Sequence, residues 1–231
     1  MVKSNQLVKA KLPLSKLEHR IFVMLISQLD KSDEEFAVQK LQIKELKQEG
    51  RSTDHIYHKA KSICKSLLTT QIEVQKKIDG KRMYKGVNLM NSCEYMEGDG
   101  YIRAKINEEM KPFLLELKRR FTMYHVKHFL PLDSKYSQRI YEMLKMREGI
   151  SVLRMTLEEF REILGTEDSY EYFSHLKAHV ITKAQEEIDE KTDISFTYDK
   201  EKEGRSVKRV KFFIHSEEDE PDSPTKIEDR T

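Results

Sequence analysis

The residues whose type and spacing come closest to metal chemistry are two histidine pairs, HIYH at 55–58 and HVKH at 125–128. Each pair stands at i, i+3, so on a helix its two rings share a face. A metal centre needs further ligands, and the chain has neither an HExxH nor a CxxC companion. The pairs are therefore read as surface or contact histidines, with no metal or cofactor expected. Nucleotide hydrolysis lacks its GxxxxGK[ST] loop, and tyrosine-dependent DNA nicking lacks its His-hydrophobic-His element despite ten tyrosines. The acidic runs EEIDE at 186–190 and EEDE at 217–220 read as solvated faces, and no set of acids stands out for a two-metal nuclease.

Recognition chemistry has more to work with. Residues 172–215 read as an amphipathic helix followed by two strands and a basic turn. Phe173, Leu176, Val180, Ala184 and Ile188 fall at spacings of three and four and share one face. His175, Ala178, His179 and Thr182 lie opposite, and Ser174 and Lys183 join them as candidate contacts. Lys177 stands nearer the buried side, from which it must snorkel outward. A helix with so compact an outer face fits the DNA major groove, although an ordinary solvated face looks the same. Ile194, Phe196 and Tyr198 alternate, as do Val210, Phe212 and Ile214, giving two half-buried strands. The turn between them holds Gly204 with Lys200, Lys202, Arg205, Lys208 and Arg209. A helix followed by a basic wing is the winged form of helix-turn-helix, in which the helix reads bases and Lys202, Arg205 and Lys208 would hold phosphates.

The elements upstream supply the same parts. Ser15 and Glu18 form a capping box for a helix over Ser15–Leu29, with Leu17, Ile21, Met24, Leu25 and Leu29 on its apolar side. Phe36 and Val38 predict a short strand, and Leu41, Ile43 and Leu46 a short helix ending near Gly50. A third helix follows Arg51 and Ser52, burying Ile56, Ala60, Ile63 and Leu67 and presenting Asp54, His55, His58, Lys61, Ser62 and Lys65. Of these, Arg51, Ser52, His55, His58, Lys61, Ser62 and Lys65 are candidate DNA contacts. One hairpin turns at Asp79-Gly80, a second runs from Cys93 to Ile106 through Gly98-Asp99-Gly100, and a helix is expected over Asn107–Arg120. The order then repeats. Ser134 caps a helix over 134–147, Val152–Met155 is a strand, and Thr156 and Glu159 cap a helix that Gly165 stops. First and third helices stand about 36 residues apart in the first half (Leu17 to Thr53) and about 37 in the second (Tyr136 to Phe173).

The expected fold is α+β: two tandem winged-helix domains over 1–122 and 123–215, each with three helices on a small antiparallel sheet, then an acidic disordered tail over 216–231. Lys135 and Tyr136 sit at a helix N-terminus, where backbone N–H groups favour a phosphate. Tyr136 can instead pack in the core, and Arg139 can simply pair with Glu142.

Composition agrees with a polyanion partner. The tail holds seven acids and two bases, so its −5 within a total of +2 leaves +7 on residues 1–215. Two cysteines in no metal or redox spacing point to a reducing compartment. No apolar run reaches 18 residues and the N-terminus lacks a signal-peptide core, so a soluble cytoplasmic protein without membrane contact is expected.

The stretches SNQLVKA at 4–10, FTMY at 121–124, SKYSQRIYEMLK at 134–145 and the segment 176–214 resemble the iteron-binding plasmid replication initiator (Rep) family over about residues 4–215. The most specific marks are Ser134, Tyr136, Arg139, Tyr141 and Glu142, then Ala184, Glu187, Ile188 and Asp189, then the K-x-G-R wing. The resemblance implies two winged-helix domains that bind direct repeats in double-stranded DNA at a bacterial plasmid origin. It also implies a monomer–dimer equilibrium, recruitment of host initiator and helicase, and repression of the initiator's own promoter by the dimer. Members often carry consecutive arginines where this chain has Lys177, Ala178 and His179, so the base contacts depart from the family pattern. A plain transcriptional repressor, an origin-nicking enzyme and a protein-interaction module are the competing readings.

Overall fold

The computed structural model describes residues 1–216 apart from Lys31, 47–52, 79–80, Glu116 and 118–120. Arg51, Ser52, the Asp79-Gly80 turn and the tail beyond Ser216 thus lie outside the described residues. The chain starts with strand β1 (Val2–Ser4) and helix α1 (Asn5–Lys9), which Ser4 caps by accepting the Leu7 N–H. Helix α2 (Lys16–Ser27) opens on the expected capping box: Ser15 Oγ accepts the Glu18 N–H and the Glu18 carboxylate accepts the Ser15 N–H at 2.7 Å. Strand β2 (Gln39–Gln42), a 3-10 turn at Ile43–Leu46 and helix α3 (Asp54–Thr69) follow. Then come strands β3 (Gln71–Ile78), β4 (Lys81–Asn88), β5 (Met90–Tyr95) and β6 (Tyr101–Ile106). After a 3-10 turn, helix α4 (Lys111–Leu114) leads to strand β7 (Phe121–Met123) and helix α5 (Val126–Phe129).

The second half runs through helix α6 (Lys135–Lys145), strand β8 (Val152–Thr156) and helix α7 (Leu157–Leu164), which Gly165 ends in the left-handed region. Helix α8 (Phe173–Leu176) passes through a π-helical segment, Lys177–Ile181, into helix α9 (Thr182–Lys191). Strands β9 (Ile194–Glu203) and β10 (Ser206–Ser216) close the chain. Both halves build an antiparallel sheet in the same order, β2-β6-β5 and β8-β10-β9. In both, the third helix starts 38 residues after the first, at Asp54 after Lys16 and at Phe173 after Lys135. The expected pair of winged-helix units is therefore present, and the hairpin β3–β4 is an addition to the first.

Several local expectations are corrected. The strand expected at Phe36–Val38 forms three residues later, leaving Val38 60% exposed, because Leu41 takes the inward position opposite Ile102. Leu41 thereby leaves the expected second helix, of which Ile43–Leu46 form a 3-10 turn; a short apolar run suits either state until tertiary contacts choose. The helix expected over 107–120 is a 3-10 turn capped by Asn107 and the four residues of α4, ending at Leu114. Pro112 is tolerated there because the first turn needs no N–H from it. Ser216 closes β10 rather than opening the tail, and at the other end of the chain β1 pairs antiparallel with β7.

The two cores interlock. Val8 and Val23 of the first half lie in the second core beside Phe129, Tyr141 and Leu144. Helix α2 is consequently buried on both sides, with His19, Arg20 and Val23 joining the expected Ile21 and Leu25. At the junction the Lys3 ammonium and the Glu142 carboxylate form a fully buried pair. Arg139 Nη1 donates to Glu142 Oε2 at 2.9 Å, Tyr124 Oη donates to Glu142 Oε1 at 2.6 Å, and His19 Nε2 stands 3.3 Å from the same oxygen. The other guanidinium nitrogen of Arg139 donates to the carbonyls of Val8 at 2.6 Å and Ala10 at 2.7 Å. Burial alone would raise the Glu142 carboxyl; Lys3, His19 and Arg139 reverse that and hold it well below its ordinary value. At Lys3 burial outweighs Glu142, and the ammonium is lowered to about 8. Burial likewise lowers the His19 imidazole.

Candidate nucleic-acid interface

The helix over 173–191 buries Leu176, Val180, Ile181, Ala184 and Ile188 and half-buries Phe173. Ile181 is the unexpected member. The Thr182 N–H reaches back five residues to the Lys177 carbonyl, so the wider π turn accommodates one extra residue and points both Val180 and Ile181 inward. The same turn leaves Lys177, Ala178 and His179 exposed in succession, and Lys177 need not snorkel. Ser174, His175 and Lys183 are exposed as well, and Thr182 is half-buried.

The loop before this helix contributes Tyr170, which sequence reasoning missed. Its ring stacks on His179 with centroids 5.8 Å apart and meets Tyr136 edge-on at 6.3 Å. Lys135 Nζ lies 4.9 Å from the Tyr136 ring centroid, so Lys135, Tyr136, Tyr170 and His179 form one continuous strip. Burial, followed by hydrogen bonding to Tyr136, raises the Tyr170 phenol. Tyr170 has φ +54°, an uncommon conformation for a residue with a side chain. Arg161 holds it there. Its guanidinium donates to the carbonyls of Thr166 (3.1 Å), Ser169 (2.7 Å), Tyr170 (2.7 Å) and Glu171 (3.3 Å). No sequence pattern marks that role, because Arg161 occupies a common position for a basic residue near a helix end.

The start of α6, expected as an anion site, already has a carboxylate beside it. The Glu187 carboxylate accepts the Asp133 and Ser134 N–H groups, and Ser134 Oγ accepts that of Tyr136 at 3.1 Å. The Lys135 side chain is exposed beside this cap, and Tyr136 is half-buried against the second core. This also accounts for several marks of the resemblance. Ser134 caps α6, Glu187 caps it from α9, Tyr141 donates to Asp193 Oδ1 at 2.9 Å, and Arg139 and Glu142 join the two halves.

The wing is a two-residue turn, Gly204 and Arg205, between Glu203 and Ser206, with Gly204 at φ +61°. Lys200, Lys202, Arg205, Lys208 and Arg209 are all exposed. Gln185 Nε2 ties α9 to β9 by donating to the Phe196 carbonyl at 2.7 Å, and Arg154 clamps Glu201 through two hydrogen bonds of 2.7 and 2.6 Å. In the first half, α3 buries Ile56, Ala60, Ile63, Cys64 and Leu67 and exposes His55, His58, Lys61, Ser62 and Lys65. The corresponding β5–β6 loop is acidic, with Glu97 and Asp99 at its tip, so the two wings differ in charge. His125 and His128 stand edge to face at 6.5 Å, and among the described residues no three His, Cys, Asp or Glu side chains converge on a metal position. Among them too, no helix is long and apolar enough to cross a membrane.

Residues 1–145 match the family described as Initiator Replication protein, WH1, and residues 156–214 match Initiator Rep protein, WH2. The chain belongs to the Rep initiator family. Among its relatives, the PI protein of Escherichia coli is 28% identical over 152 residues, covering 58% of this chain and 50% of that protein. A replication initiation protein of Escherichia coli is 23% identical over 155 residues, covering 64% and 47%. The chain thus spans about half the length of these curated relatives. The crystal structure of a Pi initiator protein in complex with iteron DNA superposes with a TM-score of 0.73 at 22% identity, covering 94% of this chain and 97% of that one. This Rep chain therefore has the Pi fold across both winged helices.

Proposed function

We propose that this Rep protein initiates plasmid replication by binding direct repeats in double-stranded DNA at an origin. Residues 1–122 and 123–215 each supply one reading helix. Ser174, His175, Lys177, Ala178, His179, Thr182 and Lys183 face one major groove, and Lys202, Arg205 and Lys208 hold the adjoining backbone, with Lys135 and Tyr136 beside them. His55, His58, Lys61, Ser62 and Lys65 face a second groove about 10 base pairs away. The observation that carries this reading is the third helix of each half, packed on its inner side and exposed along its outer one, in a chain of the Rep initiator family. A single winged helix contacts little DNA, and joining two makes the second contact intramolecular. The related Pi initiator, solved on iteron DNA, supports the same arrangement.

The reading extends to a soluble bacterial protein without a chemical step of its own. It self-associates through the first domain, where the added hairpin β3–β4 has no counterpart in the second among the described residues, and as a dimer represses its promoter. On the origin it recruits host initiator and helicase. Footprinting on the DNA flanking the coding region tests the core of this: a regularly spaced protected array is expected, and uniform cleavage across that DNA overturns it. Relaxation of a supercoiled plasmid by protein and Mg²⁺, or a covalent DNA adduct, would instead establish the nicking enzyme.

A further inference from the structure

The chain's two cysteines are far apart in sequence and meet in space. Cys64 lies on the inner side of α3, 6% exposed, and Cys93 is half-buried on β5, the strand against which α3 packs. Both line one open cleft of about 650 Å³, together with Lys61, Lys65, Glu94 and Tyr95. Both are free thiols. The neighbouring Cys93 holds the Cys64 thiol below its ordinary value, while Cys64 and burial push the Cys93 thiol far above it. The two thiols thus face one space from elements that pack on each other, the arrangement a disulfide between α3 and β5 requires. Among the described residues no third His, Cys, Asp or Glu completes a metal site around them.

We propose that Cys64 and Cys93 form a reversible disulfide, produced when a low-molecular-weight disulfide enters the cleft, that ties α3 to β5. The thiolate of Cys64 attacks one sulfur of the small disulfide, and the bond between its two sulfurs breaks, releasing one thiolate. The mixed disulfide on Cys64 is then attacked by Cys93, whose proton passes to solvent, and the second small thiolate leaves. Two protein thiols are oxidised to one disulfide while the small disulfide is reduced to two thiols, so electrons balance without a further reagent. Cys64 is the attacking group because the thiolate is the nucleophile and the neighbouring Cys93 holds Cys64 below the ordinary thiol value. In a reducing compartment such a bond is transient and reports the thiol poise rather than serving as a permanent staple. The chemistry needs only the two thiols and the cleft, whatever α3 binds.

The test incubates the folded full-length chain with oxidised glutathione and maps the quenched product by mass spectrometry. An intramolecular 64–93 disulfide is expected, with both titratable thiols lost, the subunit mass lowered by two hydrogens, and full recovery on adding dithiothreitol. Cys93→Ser should stop at a glutathione adduct on Cys64, and Cys64→Ser should react about tenfold more slowly because it lacks the activated thiol. Retention of both thiols by the folded chain under conditions that oxidise the denatured chain would overturn the proposal, as would formation of intermolecular disulfides alone. Equal rates for the two single variants would overturn the assignment of Cys64 as attacking group.

Discussion

Lys3 and Glu142 stand 139 residues apart in the chain and form a fully buried ion pair between the N-terminal strand and helix α6. The pair joins the two halves, and Arg139, Tyr124 and His19 converge on the same carboxylate. Replacing Glu142 by Gln keeps the shape and removes the charge, leaving two buried cations without their counter-ion. The expected loss is about 3–5 kcal/mol of unfolding free energy, because an unpaired charge in a dry interior is far costlier than the pair. Urea denaturation measures it, and a loss under about 1 kcal/mol would mean that water already solvates the junction.

The same pair sets a pH dependence. Lys3 is lowered from 10.5 to about 8 in the folded chain. Between those values the unfolded chain binds more protons than the folded one, so this group makes stability rise as pH rises from about 8 to 10.5. Glu142 is depressed, so its contribution is present above the ordinary carboxyl value of 4.5 and is lost as pH falls below it. Comparing Lys3→Met with the parent chain isolates the alkaline effect. The variant should lack a rising slope of up to about 1 kcal/mol per pH unit. Parallel stability curves for the two chains over that range would contradict the assignment.

Arg161 positions Tyr170 through the backbone carbonyls of its loop. In Arg161→Ala four loop carbonyls lose their donor, which costs about 1–3 kcal/mol of stability. With the loop released, Tyr170 leaves His179. DNA affinity should fall by about tenfold while the ranking among DNA sequences broadens. A variant that melts earlier yet ranks repeats as the parent does would make the loop structural only.

The helix and the wing should separate in their effects. Replacing Lys177 or His179 by Ala removes contacts assigned to base edges, and preference among sites should relax by about 1–3 kcal/mol. Replacing Arg205 or Lys208 by Ala should weaken every sequence nearly equally and flatten the salt slope by about one per lost phosphate contact. Titrations on cognate and scrambled duplexes at several salt concentrations read both. Base preference that follows the wing instead of the helix would exchange the two roles.

Local rules carried most of the element list. Ser15 with Glu18, Ser134, Thr156 and Gly165 announce their helix ends because the groups that satisfy orphan backbone donors at the start, and orphan carbonyls at the end, lie within four residues. The alternation of Ile194, Phe196, Val210, Phe212 and Ile214 marks the second wing's buried face for the same local reason. The outer faces of α3 and the 173–191 helix follow once their inner faces are read. Local rules failed where a short apolar run had two outcomes, as at Leu41, or where one turn departed from the α period, as at Lys177–Ile181.

By itself, then, the sequence determined the repeated order of helices and strands, the basic second wing and the kinship with Rep initiators, since each depends on neighbours a few positions apart or on a contiguous motif. Only the tertiary structure decided that Arg139 and Glu142 clamp the two halves, that Glu187 caps the start of α6, that Arg161 seats Tyr170 and that Cys64 meets Cys93. Apart from the local Arg139–Glu142 pairing, these relations bring together groups on different elements or loops. Their strength comes from burial and charge compensation, which periodicity along one element cannot encode.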